Sequence, residues 1–153
     1  PGVFPPVEIG PHLLIDGGVA MNLPVDVAQQ LGATRIIAVD ISAPLRRREA
    51  LTDPLSISDQ MVTAFIARST AEQKTRLQAG DVLIEPALGE LSSMDFSGAV
   101  GVAIDAGAAA AEAALPQLRA LAVDEATYAA WTARRADHLA GAPRDIARVD
   151  VDN

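Results

Sequence analysis

The sequence predicts an α/β fold with a central, mostly parallel sheet. Three short apolar runs, residues 12–15, 35–40 and 81–86, are typical of buried strands, and the stretches between them carry apolar side chains at helical spacing. Half of the residues are hydrophobic but only 3% are aromatic, so the core must be built mostly from Ala, Val, Leu and Ile. With 153 residues, the chain has the length of one domain.

The first two strands and the helix between them predict a β-α-β unit over residues 12–40. The preceding residues, 1–11, are rich in Pro and Gly and predict a loop. Asn22 is typical of a helix N-cap, and Gly32 of the glycine that ends a helix. Because a helix connects the two strands, we expect them to be parallel and joined by a right-handed crossover.

The second half of the chain predicts mainly helices. Residues 56–68 have helical spacing, and the capping-box pattern Ser69-Thr70-Ala71-Glu72 predicts the start of another helix, which covers residues 71–78. Residues 97–115 predict a long helix of Ala and Gly. Its glycines lower helix propensity, so we expect them to allow a close approach of this helix to the sheet.

The last helix is predicted from Asp124 to about residue 139, after a break at Pro116 that kinks or restarts the helical chain. Tyr128, Trp131 and Arg135 share one face of this helix. We expect this face to pack against the domain, and the alternative is a docking face for a further module.

Composition and charge exclude several classes of function. A net charge of −8 argues against a nucleic-acid partner, which requires a basic surface. The one dense basic run, Arg46-Arg47-Arg48, lies between prolines and predicts a solvated loop, with contact to anionic lipid head groups as the alternative. The absence of Cys excludes disulfides and thiolate catalysis. No run of 18 apolar residues is present, so no transmembrane helix is predicted.

Asp16 is the candidate catalytic residue, because it directly follows the first apolar run and precedes Gly17 and Gly18. This order places its carboxylate at the carboxyl end of a strand, where open α/β folds locate their chemistry. The two glycines allow positive φ angles and leave no Cβ to crowd the carboxylate. The alternative interpretation is an Asp that only stabilises the turn after a strand.

The sequence offers no nucleophile to match this carboxylate. None of its serines lies in the G-x-S-x-G pattern of a nucleophile elbow. The two histidines, His12 and His138, are far apart and belong to no recognisable motif. No cluster has metal-ligand spacing, and neither a P-loop nor G-x-G-x-x-G is present, so we expect neither a metal nor a cofactor.

Several segments resemble the C-terminal half of bacterial patatin-like phospholipases, in the order and spacing of that family. They are Pro1-Gly2-Val3-Phe4-Pro5-Pro6-Val7, Leu14-Ile15-Asp16-Gly17-Gly18-Val19, Asn22-Leu23-Pro24-Val25, Gly32-Ala33, Ile36-Ile37-Ala38-Val39-Asp40, and Asp81-Val82-Leu83-Ile84-Glu85-Pro86 followed by Asp95-Phe96. The resemblance covers residues 1 to about 123. From Asp124, the tail resembles the segment that leads to a POTRA module in members that also carry an outer-membrane barrel.

The resemblance implies a three-layer α/β/α fold and a lipid acyl hydrolase that uses a Ser–Asp dyad. Asp16 would be the general base, and Gly17 and Gly18 the turn that presents it. The family's serine and oxyanion loop lie upstream, so the implied partner is the N-terminal half of the same domain. The implied substrate is a phospholipid or acyl ester, and no cofactor is implied. Val3, Phe4 and Pro5 could line the acyl site, given their apolar character and their position before the Asp16 strand.

The same resemblance implies a division of the chain into three parts. Residues 1–123 would be the C-terminal part of the hydrolase domain, residues 124–141 its terminal helix and a linker, and residues 142–153 the start of a following domain. It favours a bacterial protein that is secreted, periplasmic or associated with the outer membrane, with contact to a membrane surface. The alternative reading is a non-catalytic α/β scaffold or a lipid-binding module.

Overall fold

The computed structural model describes residues 5–89, 91 and 99–140. The chain divides into two compact units, Pro1–Leu118 and Arg119–Asn153. Along the described residues, the elements in chain order are β1 (Val7–Ile9), β2 (His12–Leu14), α1 (Gly18–Met21), α2 (Val25–Gln30), β3 (Ile37–Val39), a 3-10 turn (Arg48–Ala50), α3 (Pro54–Lys74), β4 (Val82–Ile84), α4 (Ala99–Ala113), α5 (Leu115–Ala120) and α6 (Glu125–Ala140). The chain is therefore mixed α/β, as predicted.

β1 and β2 form an antiparallel hairpin, in which Val7 pairs with Leu14 and Ile9 with His12. Gly10, with φ +58°, occupies the first position of the two-residue turn, where glycine supplies the positive φ that tight hairpins require. Two predictions are therefore wrong: residues 7–9 are a strand and not a loop, and β2 pairs with β1 instead of forming a parallel β-α-β unit with β3. The two-residue Gly10-Pro11 turn closes a short loop, so pairing the adjacent strands costs little chain entropy, although Gly and Pro are also typical of irregular loops.

β3 and β4 form the parallel pair, with Ile37 opposite Val82 and Val39 opposite Ile84. One face of this pair is the core of the first unit. This core contains buried side chains and partly buried ones that pack on them. They come from the two strands and the residue before β3, from α2 and the loop before it, and from the segment after α3: Leu23, Val25, Ala28, Ile36, Ala38, Leu77 and Leu83. Small and branched side chains thus build this core, as the composition predicts.

The opposite face of the pair is covered unevenly. On β4, Val82 and Ile84 are 3% and 8% exposed, whereas their partners on β3, Ile37 and Val39, are 51% and 47% exposed. In the separate hairpin, Leu13 and Leu14 of β2 and the following Ile15 are exposed as well. The described residues therefore leave apolar side chains of β2 and β3 in contact with water.

α2 begins without a side-chain cap of its own. Pro24 occupies the N-cap position, so the prediction that Asn22 caps this helix is wrong. The cap comes from α3, where the buried Gln73 accepts a hydrogen bond from the Asp26 N–H through Oε1 at 2.9 Å. The C-terminal prediction is confirmed, because Gly32 follows the helix with φ +87°.

Gln73→Leu is expected to weaken α2 by about 1–3 kcal/mol, because it leaves the Asp26 N–H without its acceptor in a partly buried position. Hydrogen exchange of the α2 amides, measured by mass spectrometry in the complete protein, should show correspondingly lower protection. Gln78→Leu, at an exposed position just beyond α3, is the matched control. Equal protection in the two variants would show that Gln73 does not cap α2.

α3 is one helix of 21 residues, so the prediction of two helices over 56–68 and 71–78 is wrong. Its capping box lies at Asp53, whose carboxylate accepts from the N–H groups of Leu55 and Ser56 while the Ser56 hydroxyl accepts from the Asp53 N–H. These hydrogen bonds hold the pKa of Asp53 below its ordinary value, and the bond from the Ser56 N–H contributes most. Thr70, predicted near a helix start, is only 2% exposed in the helix interior.

α4 and α5 are separated by a break at Ala114, so the helix restart predicted at Pro116 is confirmed. The expected close approach of α4 to the sheet is wrong at two of its glycines. A Cβ built on Gly101 or Gly107 would meet no atom within 4 Å, and Gly98 lies outside the described residues.

The second unit contains α6, which begins after Asp124. The Asp124 carboxylate accepts a hydrogen bond from the Thr127 N–H at 2.8 Å, and this bond holds its pKa below the ordinary value. The prediction that three side chains share one face of this helix is confirmed: the rings of Tyr128 and Trp131 stack at 5.9 Å, and the Arg135 guanidinium lies 5.3 Å from the Trp131 ring. Residues 142–153, predicted to begin a following domain, lie outside the described residues.

Among the described helices, none combines the length and the apolar content that crossing a bilayer requires.

Candidate functional site

Asp16 lies on an exposed loop between β2 and α1. Its Oδ1 accepts a hydrogen bond from the Gly18 N–H at 2.8 Å. That bond is the main cause that holds the pKa of Asp16 below its ordinary value, so the carboxylate is ionised at neutral pH. The position after a strand is as predicted, but within the described residues that strand belongs to a hairpin and not to the parallel sheet.

Gly17 and Gly18 have different surroundings. Gly17 has φ −66° and is the N-cap of α1, where its carbonyl accepts from the N–H groups of Ala20 and Met21. A Cβ at Gly17 would meet nothing within 4 Å, whereas a Cβ at Gly18 would lie 3.2 Å from Asp16 Oδ1. Neither glycine adopts positive φ, so the prediction that the turn uses this freedom of glycine is wrong. The space that a missing Cβ leaves for the carboxylate exists at Gly18 alone.

Gly18→Ala is therefore expected to push the Asp16 carboxylate away from the residue-18 N–H and to raise the pKa of Asp16 towards its ordinary value. Gly17→Ala is the matched control, because its backbone suits Ala and its Cβ has open space. An NMR titration that follows the Asp16 carboxyl carbon distinguishes the two. The same pKa in both variants would mean that Gly18 does not control the carboxylate.

A second polar cluster lies at the carboxyl ends of the parallel strands. Asp40 directly follows β3 and Glu85 directly follows β4, and the Lys74 ammonium at the end of α3 bridges both carboxylates, with 2.6 Å to Glu85. Burial by itself would raise the pKa of Asp40, but hydrogen bonds from Lys74 and Ser42 outweigh it and lower that pKa. The hydrogen bond with Asp40 and, to a smaller extent, that with Glu85 raise the pKa of Lys74.

Asn22 links α1 to this cluster. Its side-chain Nδ2 donates to the Ser42 hydroxyl at 3.0 Å, and the Ser42 N–H donates to Asp40 Oδ1 at 2.9 Å. The Ser42 hydroxyl also lies 3.4 Å from that of Thr70 in α3. Asn22, Ser42 and Lys74 are site residues that the sequence did not predict. The signal that could have located the cluster is the acidic residue that directly follows each parallel strand.

The proposed acyl-site residues are only partly described. Val3 and Phe4 lie outside the described residues, and Pro5 is exposed. Pro5 stands two residues before β1, and Asp16 two residues after β2, so both lie at the open end of the hairpin. This places Pro5 and Asp16 at the same end of the first unit.

The basic run lies in the loop that follows Ser42. As predicted, residues 43–50 are exposed, and the Arg46 guanidinium donates to Asp59 at 2.8 Å. This loop, Gly89 and Leu91 line an open cavity of about 630 Å³. Among the described residues, no group of three or more His, Cys, Asp or Glu is placed to hold a metal ion.

Comparison with known proteins gives relatives over most of the chain. No family model matches it. An uncharacterized NTE family protein of Mycobacterium tuberculosis is 31% identical over 137 residues, covering 75% of this chain and 23% of that protein. Lysophospholipase NTE1 of Debaryomyces hansenii is 25% identical over 118 residues, covering 63% of this chain and 8% of that protein. The homologues of this chain are members of the NTE and patatin-like phospholipase family.

One further NTE homologue matches a shorter stretch of the chain at higher identity. Neuropathy target esterase sws of Drosophila melanogaster is 56% identical over 32 residues, covering 21% of this chain and 2% of that protein. The chain spans less than a quarter of the length of each NTE relative described here. The predicted resemblance thus holds at the level of the family, and no match bears on a POTRA module or a barrel.

Proposed function

We propose that this chain supplies the general base of a lipid acyl hydrolase that uses a Ser–Asp dyad. The observation that carries the proposal is the ionised, accessible Asp16 carboxylate, which the Gly18 N–H orients and no Cβ at residue 18 obstructs. The relatives whose names describe an activity are a lysophospholipase and an esterase. Both names describe ester hydrolysis, the reaction that such a base serves.

In the proposed reaction, a serine from a preceding part of the protein attacks the acyl carbonyl. Asp16 takes the hydroxyl proton as the serine oxygen bonds to the carbonyl carbon. When the tetrahedral intermediate collapses, the ester C–O bond breaks, and Asp16 returns the proton to the leaving alcohol. Asp16 then takes a proton from a water molecule that attacks the acyl-serine, so the fatty acid leaves and the serine recovers its proton.

The exposed apolar surface supports a preceding part that covers this unit. The Ile36 carbonyl and the Asp40 N–H form hydrogen bonds with β4. Main-chain groups alternate in direction along a strand, so those of Ile37 and Val39 point towards the edge of β3 that faces away from β4. The side chains of those two residues are also half exposed. We propose that the N-terminal half of the domain adds a strand beside β3 and a covering helix, which completes the patatin-like three-layer fold.

Covering the site would also make Asp16 a stronger base. In the exposed loop, the Gly18 hydrogen bond lowers its pKa, which weakens it as a proton acceptor. A partner that removes water from the carboxylate would disfavour its charge and raise the pKa. The proposed assembly therefore supplies the proton affinity that the reaction requires.

The pH dependence of kcat/KM for a soluble acyl ester tests this function in the complete protein. Asp16 acts when ionised, so activity is expected above its pKa and is lost as the pH falls through that value. Gly18→Ala raises the pKa of Asp16 and should move this acid limb to higher pH, while His12→Gln and His138→Gln should leave it in place. An acid limb that Gly18→Ala does not move, or that a His variant removes, would contradict the dyad.

A further inference from the structure

α1, the helix that follows Asp16, depends on other elements for its position. It has four residues, and none of their side chains is buried. A single turn of helix is not stable by itself in water. Yet its first residue, Gly18, donates the hydrogen bond that orients Asp16. Whatever holds α1 in place therefore also sets the direction of the candidate catalytic carboxylate.

Asn22 is placed to hold this turn. It is the residue at which α1 ends. Its Nδ2 donates to the Ser42 hydroxyl, while its Oδ1 lies 3.6 Å from the position that a Gly18 Cβ would take. One side chain thus extends along α1 towards Gly18 and also reaches across 20 residues of sequence to Ser42.

Ser42 is itself fixed on two sides. Its N–H donates to the buried carboxylate of Asp40, which Lys74 neutralises, and its hydroxyl contacts that of the buried Thr70. These partners belong to the end of β3 and to the interior of α3. Ser42 is therefore a well-anchored acceptor for Asn22, because a buried carboxylate and a buried hydroxyl hold it on two sides.

We propose that Asn22 and Ser42 are positioning residues that fix α1, and through Gly18 the Asp16 carboxylate, against the carboxyl end of the parallel strands. This inference rests on the proposed role of Asp16 as general base. The Asn22–Ser42 hydrogen bond would affect catalysis by holding Asp16 in place, although neither side chain takes part in proton transfer. A displaced general base loses rate because its geometry is no longer productive, and a shift of about 1 Å can cost about 10²-fold.

The test measures kcat and KM for ester hydrolysis by the complete protein, per active site titrated with a fluorophosphonate. Ser42→Ala and Asn22→Ala each break the bond, and we expect kcat to fall by about 10–100-fold with KM unchanged. Ser42→Thr keeps the hydroxyl and should restore most of kcat. Ser58→Ala, which removes a hydroxyl bonded to the Pro54 carbonyl on the exposed part of α3, is the matched control and should leave kcat unchanged.

Each outcome bears on one hypothesis. Wild-type kcat per titrated site in Ser42→Ala and Asn22→Ala would overturn the positioning role, as would a loss that Ser42→Thr does not restore. If Asn22→Ala does not fold, the result for Ser42→Ala decides alone. This substitution removes only one oxygen atom, so we expect the protein to keep its fold. Asp16→Asn is measured in parallel: its inactivity together with active Ser42→Ala rejects only this inference, whereas activity in Asp16→Asn rejects the proposed function itself.

Discussion

Asp16→Asn is expected to lower kcat for ester hydrolysis by the complete protein about 10²–10⁴-fold, because the amide cannot take the proton of the attacking serine. The substitution keeps the shape of the side chain and an oxygen that can accept the Gly18 N–H. We therefore expect the fold and KM to change little. Initial rates with a soluble acyl ester, together with a thermal melt, measure both quantities.

The matched control for Asp16→Asn is Asp59→Asn. Asp59 is also an exposed carboxylate, and its ion pair with Arg46 is more than half exposed on both sides. Removing such a pair changes stability by less than about 1 kcal/mol. Asp59→Asn should keep wild-type kcat. Near-normal kcat in Asp16→Asn would remove Asp16 from the mechanism and would favour the non-catalytic scaffold or lipid-binding reading.

Lys74→Met is expected to destabilise the first unit by about 3 kcal/mol, because it leaves the Asp40 carboxylate buried without its counter-charge. The Asp40 side chain is only 8% exposed, so its carboxylate has little contact with water to offset the loss of the ammonium group. Hydrogen exchange of the β3 and β4 amides in the complete protein measures the loss locally. Arg68→Met, which removes an exposed pair with Glu72 on the same helix, should cost less than about 0.5 kcal/mol.

The effect of Lys74→Met should depend on pH. In the wild-type protein, the lowered pKa of Asp40 contributes stability above the unfolded pKa, and this contribution is lost as the pH falls through the folded pKa. Without Lys74, the pKa of Asp40 is higher than in the wild type, because burial is then opposed only by the hydrogen bonds from Ser42, so the carboxylate is protonated more easily. The difference between variant and wild type should therefore shrink on acidification. A difference that is constant from neutral pH to pH values near the ordinary pKa of Asp would show that Asp40 is not the source of the loss.

The fold could be predicted where a continuous run of residues decides the local structure. The strands at 37–39 and 82–84 are short apolar runs, and Gly32 and Pro116 mark the helix boundaries that their backbone preferences dictate. The hairpin was missed because its turn, Gly10-Pro11, is also typical of an irregular loop. The long helix α3 was divided in two because Ser69-Thr70-Ala71-Glu72 resembles a cap, and burial of Thr70 depends on tertiary packing that sequence spacing does not contain.

The candidate site could be predicted only in its local part. Asp16 and its adjacent glycines follow from a strand that ends in a turn, although the structure shows that Gly18 alone faces the carboxylate. The Asn22–Ser42–Asp40–Lys74 hydrogen-bond network joins residues that are up to 52 positions apart, and only the packing of α1 and α3 near the ends of β3 and β4 brings them together. No local pattern encodes those distances.

Covalent capture of the nucleophile tests the central claim most directly. The complete protein is treated with a fluorophosphonate, and the modified residue is located by mass spectrometry in the wild type and in Asp16→Asn. The proposed dyad predicts one modified serine outside the 153 residues of this chain, and a labelling rate that Asp16→Asn lowers about 10²-fold or more. Labelling of a serine within this chain, or an equal rate in the Asn variant, would contradict it.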